Sequence, residues 1–191
     1  MIWIRRFFDL WLYLNIITGI NSIYIQRYMI QLQPFKQEDF KRLISWMDTE
    51  ELLVQVAGPI FSYPLTEEQL KTYLEDKNRS AFKVIDSQTG DAIGHAEIYI
   101  NEDNTAKICR VLIGNENYRS KGLGQHLISE LVSFSINRLK ISAIELNVYD
   151  WNTPAIRCYE KVGFVLVPEK YTTTTVKGET WKSLNMIFKF T

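Results

Sequence analysis

The spacing of hydrophobic positions changes several times after residue 28, and each change predicts a new secondary-structure element. Alternating apolar and polar positions predict a β-strand, whereas apolar positions three or four residues apart predict an amphipathic helix. The strands predicted in this way cover residues 30–34, 81–86, 92–100, 107–113, 142–149, 164–167 and 181–190. The predicted helices cover residues 37–47, 66–75, 122–139 and 154–162, and the polar run 171–177 is predicted to be a loop.

The order of these elements predicts a mixed α/β domain in which helices cover both faces of one central sheet. Hydrophobic residues make up 46% of the chain and charged residues 23%, a composition that excludes wholesale disorder. No internal repeat, low-complexity tract or linker rich in Pro, Gly and Ser divides residues 29–191, so we predict a single domain there.

The first 28 residues form an apolar and slightly basic head. They contain 18 apolar residues, and Arg5, Arg6 and Arg27 outnumber Asp9. Polar residues at helical spacing within this head are compatible with an amphipathic helix that lies on a membrane or on a partner protein. The alternative is an upstream extension or misassigned start without a task of its own, with the domain opening at Met29. The pattern leaves both interpretations open.

The charges balance over the whole chain, with 22 Lys and Arg against 22 Asp and Glu. A chain without net charge has no overall field that attracts a polyanion, so we do not expect a nucleic-acid-binding protein. Cys109 and Cys158 lie far apart and form no disulfide framework, which favours the reducing cytoplasm. No cluster of His, Cys and Asp has the spacing of a zinc site, so we expect no metal.

A glycine-rich turn, Arg-Ser-Lys-Gly-Leu-Gly from residue 119, joins the strand at 107–113 to the long helix at 122–139. Glycines at such a turn let backbone N–H groups approach a ligand, and the helix N-terminus favours an anion such as pyrophosphate. Arg119 and Lys121 add positive charge, although a tight turn with basic residues facing solvent would have the same sequence. The P-loop pattern is absent, and the dinucleotide fingerprint fails at Leu127, where it requires a third glycine.

A second motif follows the next predicted strand and runs from Asn152 through Ala155 and Tyr159 to Gly163 and Phe164. Arg-x-x-Gly-x-Gly after one strand, then Asn-x-x-Ala-x-x-x-Tyr-x-x-x-Gly-Phe after the next, resembles the GNAT superfamily of N-acetyltransferases. The resemblance covers residues 29–191 and is sharpest over 108–164. More weakly, residues 33–39 and Trp46 resemble the branch that includes ribosomal-protein N-terminal acetyltransferases.

The resemblance implies a GNAT-like sheet in which acetyl-CoA binds between two splayed parallel strands, those at 107–113 and 142–149. It implies that Asn152 contacts the cofactor arm and that Tyr159 protonates the leaving thiolate as a general acid. The strand edge is expected to polarise the thioester carbonyl, and the turn to hold the pyrophosphate. The cofactor-binding residues implied in this way are Val111, Leu112, Ile113, Arg119, Ser120, Lys121, Gly122, Leu123, Gly124, Gln125 and Asn152. Without the resemblance, Tyr159 is typical of a core aromatic residue and Asn152 of a helix N-cap.

The motifs do not identify the general base. The glutamate that similar enzymes carry five residues before the motif asparagine is replaced here by Asn147, which cannot act as a base. Glu145 is expected on the same face of its strand as Asn147, and Glu97 lies on the strand at 92–100, so both are candidates. The alternative for Glu97 is an exposed strand residue without a catalytic part.

We therefore predict an acetyl-CoA-dependent N-acetyltransferase that transfers acetyl directly to a primary amine. The acceptor stays open between a protein N-terminus and a small molecule such as a polyamine or an amine-bearing antibiotic. Two other functions remain: a non-catalytic acyl-CoA-binding module, favoured by Asn147, and a membrane-associated scaffold led by residues 1–28. We also expect a cytoplasmic location and, because many members of the superfamily form dimers, a homodimer.

Overall fold

The computed structural model describes residues 30–119 and 121–188, so the apolar head of residues 1–28 and Ser120 of the glycine-rich turn lie outside it. The seven described strands are β1 (Ile30–Pro34), β2 (Arg79–Asp86), β3 (Ala92–Ile100), β4 (Thr105–Ile113), β5 (Ala143–Tyr149), β6 (Phe164–Val176) and β7 (Glu179–Phe188). The five described α-helices are α1 (Phe40–Trp46), α2 (Glu50–Ala57), α3 (Glu67–Glu75), α4 (Leu123–Asn137) and α5 (Thr153–Val162). None of the helices in these ranges is long and apolar enough to cross a membrane.

The strands form one seven-stranded sheet in the order β1–β2–β3–β4–β5–β7–β6. Neighbouring strands are antiparallel except β4 and β5, which run parallel in the middle of the sheet. These two strands pair only from Thr105 to Ile108 on β4 and from Ala143 to Leu146 on β5. Each strand continues beyond the last pair, so a gap opens between them. This arrangement confirms the predicted mixed sheet with two splayed parallel strands.

Helices cover both faces of the sheet, as predicted. On one face, α4 and α5 pack over the main core, in which Ile98, Leu127 and Leu131 are fully buried. On the other face, α1, α2 and α3 pack over a second core that includes Phe40 and Leu70. Because successive residues of a strand point to opposite faces, the same strands supply side chains to both cores.

The hairpin formed by β6 and β7 packs against α2. A small apolar cluster joins the two elements and consists of Val54, Tyr149, Val176 and Trp181. At the hairpin tip, Lys177 and Gly178 have φ values of 48° and 84°, as expected for a type I′ turn. The ammonium group of Lys177 pairs with the carboxylate of Glu51 in the first turn of α2. The hairpin and α2 therefore face each other across the parallel strands.

In this region one element was not predicted from the sequence, and one prediction is wrong. Helix α2 was not predicted, although Thr49 supplies an N-cap whose hydroxyl accepts a hydrogen bond from the N–H of Leu52 at 3.2 Å. The loop predicted at 171–177 is strand, because Thr172–Thr175 continue β6 and pair with β7. Threonine is β-branched and stable in an exposed strand, so the polarity of this run was a poor guide to its structure.

Candidate active site

An open cavity of about 380 Å³ lies where β4 and β5 separate. The two diverging strands form its floor. The end of α2 and the residues just after it form one wall, and the β6–β7 hairpin forms the other. A narrower channel of about 80 Å³ continues from the cavity between the strands and reaches Asn152 and Tyr159. We call the larger space the acceptor cavity and the narrower one the channel.

A bulge bends β4 beside the channel. The register between β3 and β4 shifts close to Glu97, and Arg110 adopts the left-handed backbone conformation with a φ of 51°. A left-handed backbone is unfavourable for a residue with a Cβ atom, by about 1–2 kcal/mol. The bulge therefore needs support from the contacts of Arg110 itself.

The bulge determines which backbone groups of β4 face the gap. The N–H of Gly114 bonds to β3 at 2.9 Å. Because backbone groups alternate in direction along a strand, those of Leu112 also point to β3, whereas those of Val111 and Ile113 point into the gap. Of the three predicted strand-edge residues, Val111 directs both backbone groups into the gap and Ile113 keeps its N–H for a ligand, because its carbonyl accepts from Arg119. The backbone groups of Leu112 face β3.

The glycine-rich turn lies at the start of α4. Gly122 is the N-cap of this helix and has a φ of 77°, a conformation that favours glycine. The N–H groups of Leu123, Gly124 and Gln125 follow it in the first turn, where backbone N–H groups have no partner inside the helix. They lie at the positive end of a 15-residue helix dipole, so the turn suits an anionic group.

The two basic residues of the turn differ in their placement. The guanidinium of Arg119 donates to the carbonyls of Ile113 at 3.1 Å and Gly114 at 3.3 Å and pairs with Glu116 at 3.1 Å. It therefore stabilises the loop between β4 and the turn instead of extending toward a ligand. The side chain of Lys121 is exposed, with its ammonium group 5.7 Å from the ring centre of Tyr118.

Asn152 and Tyr159 line the channel from the side of α5. The side-chain oxygen of Asn152 accepts a hydrogen bond from the N–H of Ala155 at 3.3 Å. Asn152 is therefore the N-cap of α5, a role that the sequence also predicts. Tyr159 lies two turns further along the same helix face and packs 6.3 Å from the ring of Phe164. Burial raises the pKa of the Tyr159 phenol above its usual range, so the hydroxyl keeps its proton at neutral pH.

Glu97 is fully buried, so its interpretation as an exposed strand residue is wrong. One carboxylate oxygen accepts from Arg79 at 2.5 Å, and the other accepts from Arg110 at 2.7 Å and from the hydroxyl of Tyr73 at 2.5 Å. Both oxygens are thus already bonded to neighbouring side chains, of which Tyr73 belongs to the second core. The geometry makes Glu97 an anchor for Arg110, and thereby for the bulge, instead of a free proton acceptor facing the acceptor cavity.

The same buried cluster contains His95, which lies 3.4 Å from the hydroxyl of Tyr73. Burial, assisted by the positive charge of Arg110, lowers the pKa of His95 to about 3. The imidazole is therefore neutral at physiological pH and forms part of the core.

Glu145, the other candidate base, is held by two lysines. Its carboxylate pairs with Lys170 at 2.6 Å and with Lys107 at 3.3 Å, and it accepts a hydrogen bond from Asn185 at 3.1 Å. Burial acts to raise its pKa, but the hydrogen bond from Lys170 and the charge of Lys107 outweigh burial and lower it. A carboxylate stabilised in this way in its ionised form is a weak base for an amine.

Cys109 lies on the floor of the acceptor cavity. Burial, together with the negative charge of Glu97, raises the pKa of its thiol to about 11. The thiolate required of a nucleophile is therefore scarce at neutral pH, which favours direct transfer over an acetyl-cysteine route. Among the described residues, His, Cys, Asp and Glu side chains form no group of three that could hold a metal ion.

The fold and the site define a CoA-dependent acyltransferase, with a splayed pair of parallel strands, a glycine-capped helix N-terminus and a tyrosine between them. The profile of the acetyltransferase (GNAT) family matches residues 40–164. The chain belongs to this family and is an acetyl-CoA-dependent N-acetyltransferase, as the two motifs predict.

Proteins that are similar to this chain in sequence or in structure include several that are named as N-acetyltransferases. The chain is 24% identical to an N-acetyltransferase 9-like protein of Nematostella vectensis, over 73% of this chain and 76% of that protein. It is 28% identical to the human alpha/beta-tubulin-N-acetyltransferase 9, over 71% of this chain and 72% of that protein. The match to the mouse protein of the same name, at 25% identity, spans 61% of that protein's length. A spermidine N-acetyltransferase from Vibrio cholerae, solved with CoA and spermine, has the same fold, with a TM-score of 0.71 and 21% identity over 83% of this chain and 94% of that chain.

Several residues of the acceptor cavity were not predicted from the sequence. Gln55 and Val56 belong to the helix that the prediction missed, and Thr172 and Thr174 belong to the strand that it read as a loop. The N-cap at Thr49 and the β-branched threonines were the signals that could have identified these elements. Arg110 had no such signal, because its position depends on a bulge that the sequence pattern does not reveal.

Proposed function

We propose that this N-acetyltransferase transfers acetyl directly to the α-amine of a protein N-terminus. The observation that carries the proposal is the acceptor cavity itself, because the only charged side chains among its described lining residues are Lys107 and Arg110, both cationic. The described lining has no carboxylate for the several charges of a polycation such as spermidine, whereas an α-amine introduces a single charge. The names of the human and mouse relatives, which refer to tubulin, make a tubulin N-terminus one candidate acceptor.

The cationic lining also suits the chemistry of an α-amine. An α-amine has a pKa of about 7.7–8.0, against about 10.4 for an alkyl amine of the lysine type. At pH 7.5 about a third of α-amine groups are therefore already neutral, compared with about 0.1% of lysine-type amines. Nearby positive charge lowers an amine's pKa further, so the acceptor can lose its proton to water without a dedicated carboxylate base. An α-amine acceptor is therefore compatible with Asn147 in the place of a glutamate.

We assign the remaining roles to residues around the channel. Bound acetyl-CoA supplies an activated acetyl thioester. The gap, the free backbone groups of β4 and the first turn of α4 fit an extended arm that ends in phosphates. The N–H of Val111 polarises the acetyl carbonyl, Tyr159 holds a proton at its hydroxyl for the leaving sulfur, and Asn152 orients the arm while capping α5.

A thiol-release assay tests the acceptor. The full chain is mixed with acetyl-CoA and either a short peptide with a free α-amine, the same peptide already acetylated at that amine, or spermidine. We expect CoA release with the free peptide alone. Rapid release with spermidine and none with any free peptide would contradict the proposal.

The role of Tyr159 is tested in the same assay. Tyr159→Phe removes the proton that the leaving sulfur needs, so kcat should fall about 10²–10⁴-fold while the dissociation constant for CoA stays unchanged. Tyr171→Phe is the matched control, because Tyr171 is exposed on β6 and its loss should leave kcat within a factor of two. Equal and very slow release by the wild type and Tyr159→Phe would instead favour the non-catalytic acyl-CoA-binding module.

We also propose that the enzyme acts in the cytoplasm and assembles as a homodimer. The cytoplasmic location is supported by the two cysteines, which are free. Oligomerisation has a precedent in the fold, since one solved spermidine N-acetyltransferase from Vibrio cholerae is described as dodecameric. Cell fractionation and light scattering of the full chain are the corresponding measurements.

A further inference from the structure

The charges around the acceptor cavity are not evenly balanced. Beneath Arg110, Glu97 is shared with Arg79, and Arg79 pairs in turn with Asp76 at 3.1 Å. This group contains two cations and two carboxylates and is therefore neutral as a whole. Arg110 is also largely buried, with 11% of its side chain exposed.

The cluster at Lys107 is different. Lys107 and Lys170 share one carboxylate, that of Glu145, so one positive charge remains without a partner in the cluster. Lys107 is 30% exposed and lines the acceptor cavity, whereas Glu145 does not line it. The side-chain amide of Asn147, turned so that its oxygen faces Lys107 at 3.2 Å, adds a neutral acceptor and no charge. The excess positive charge of the cavity floor is thus concentrated at Lys107.

We propose that Lys107 is a specificity-determining residue that binds a carboxylate side chain at the second or third position of the acceptor peptide. The inference rests on the proposed function, because it assumes that a protein N-terminus enters the cavity. It adds the chemical class of the acceptor, an N-terminal segment with Asp or Glu close to the acetylated amine. A partly exposed ammonium group with an unmatched charge is the feature of this cavity that a carboxylate would recognise.

The position of the carboxylate follows from strand geometry. Lys107 lies four residues before Val111, which corresponds to about 13 Å along a strand, and somewhat less across the bulge. The third residue of an extended peptide lies about 7 Å from the first, and the Glu and Lys side chains span the remaining distance. The carboxylate of a free amino acid lies too close to its own amine to make the same contact. A free amino acid should therefore not be acetylated efficiently.

The test compares peptides of equal length that differ only at the third residue, with Glu, Gln or Lys. For the wild type we expect kcat/KM to be about tenfold higher with Glu than with Gln, the size of one hydrogen bond to a charged group, and lowest with Lys. The preference should shrink when the salt concentration is raised, because the Lys107 site is partly exposed. Free glutamate, tested as an acceptor in the same assay, shows whether a single amino acid can replace the peptide.

Variants connect the preference to Lys107. Lys107→Gln should reduce the Glu-to-Gln ratio to below about two, and Lys107→Arg, which keeps the charge, should retain most of the ratio. Lys71→Gln, on the exposed face of α3, is the matched control and should leave the ratio unchanged. Thermal melting of each variant shows that it is folded, and the ratio of two substrates on one preparation does not depend on the amount of active enzyme.

The outcomes separate the two proposals. Equal kcat/KM for the Glu and Gln peptides in the wild type would overturn the inference and leave peptide acetylation intact. A preference that survives in Lys107→Gln would overturn the role of Lys107. If no peptide is acetylated while spermidine or free glutamate is, the proposed function itself fails and the inference fails with it.

Discussion

Replacing Glu97 by Gln tests whether the buried carboxylate supports the β4 bulge or acts as a base. The substitution removes one negative charge and keeps the shape of the side chain. Arg79 would keep its ion pair with Asp76, whereas Arg110 would lose the carboxylate that it contacts at 2.7 Å. The buried side chain of Arg110 would then have to move to reach water. The left-handed backbone at this residue would lose its support.

The expected loss of stability is large because the site excludes water. The side chain of Glu97 is 0% exposed, and those of Arg79 and Arg110 are 7% and 11% exposed. Removing one partner of a buried ion pair costs about 3–5 kcal/mol. For a domain of this size each kcal/mol corresponds to about 2–4 °C, so Tm should fall by roughly 6–20 °C. The kcat of the variant should also fall at temperatures where it is folded, because the N–H of Val111 shifts when the bulge relaxes.

Thermal unfolding followed by circular dichroism measures the first effect, and thiol release at a temperature below both transitions measures the second. Glu38→Gln is the matched control, because Glu38 is 69% exposed and lies 3.5 Å from Lys83, so its loss should change stability by less than about 0.5 kcal/mol. A Glu97→Gln protein that melts within 2 °C of the wild type but has lost its activity would refute the anchoring role. That result would indicate that Glu97 is the general base.

Two further predictions concern the turn and the buried histidine. Gly122→Ala places a Cβ in open space but forces a residue with a side chain into φ 77°, so we expect about 1 kcal/mol of destabilisation and weaker CoA binding by calorimetry. Gly90→Ala, at φ 79° in the β2–β3 turn and also in open space, is the control that should lose the same stability and bind CoA normally. His95 has a lowered pKa of about 3, so the unfolded chain binds its proton first, and stability should be lost as the pH falls from 6.5 toward 3, at up to about 1.4 kcal/mol per pH unit. His95→Gln should remove this part of the slope in denaturant unfolding at several pH values, and an unchanged slope would contradict the assignment.

Much of the fold was predictable because the relevant signals are local. Apolar alternation identified both strands of the β2–β3 hairpin, and the predicted range 92–100 agrees with β3 as observed. The two motifs identified the turn at Gly122 and the helix that carries Tyr159, since each combines a special backbone geometry with a helix start. Family membership followed from the order of these two motifs.

The remaining features depend on contacts between distant parts of the chain. The burial of Glu97 results from packing of α3 against the sheet, which brings Tyr73 to a strand more than twenty residues away. Arg119 can stabilise the loop between β4 and the turn because of the direction of the carbonyls at the end of β4. Neither residue type nor spacing encodes these directions, so the polar residues of the site were predicted less well than its backbone.

The separation of β4 and β5 affects how stably the two halves of the sheet are held together. The ladder between β4 and β5 has four paired positions, and it joins two halves of the sheet, one of four strands and one of three. If acetyl-CoA occupies the gap, as we propose, it contacts both halves, and its binding free energy then adds to the free energy of unfolding. At a concentration of one hundred times Kd this contribution is about 2.7 kcal/mol. The melting temperature of this enzyme should therefore rise with the fraction of molecules that carry the cofactor. When the cofactor is scarce, the protein should be less stable as well as inactive.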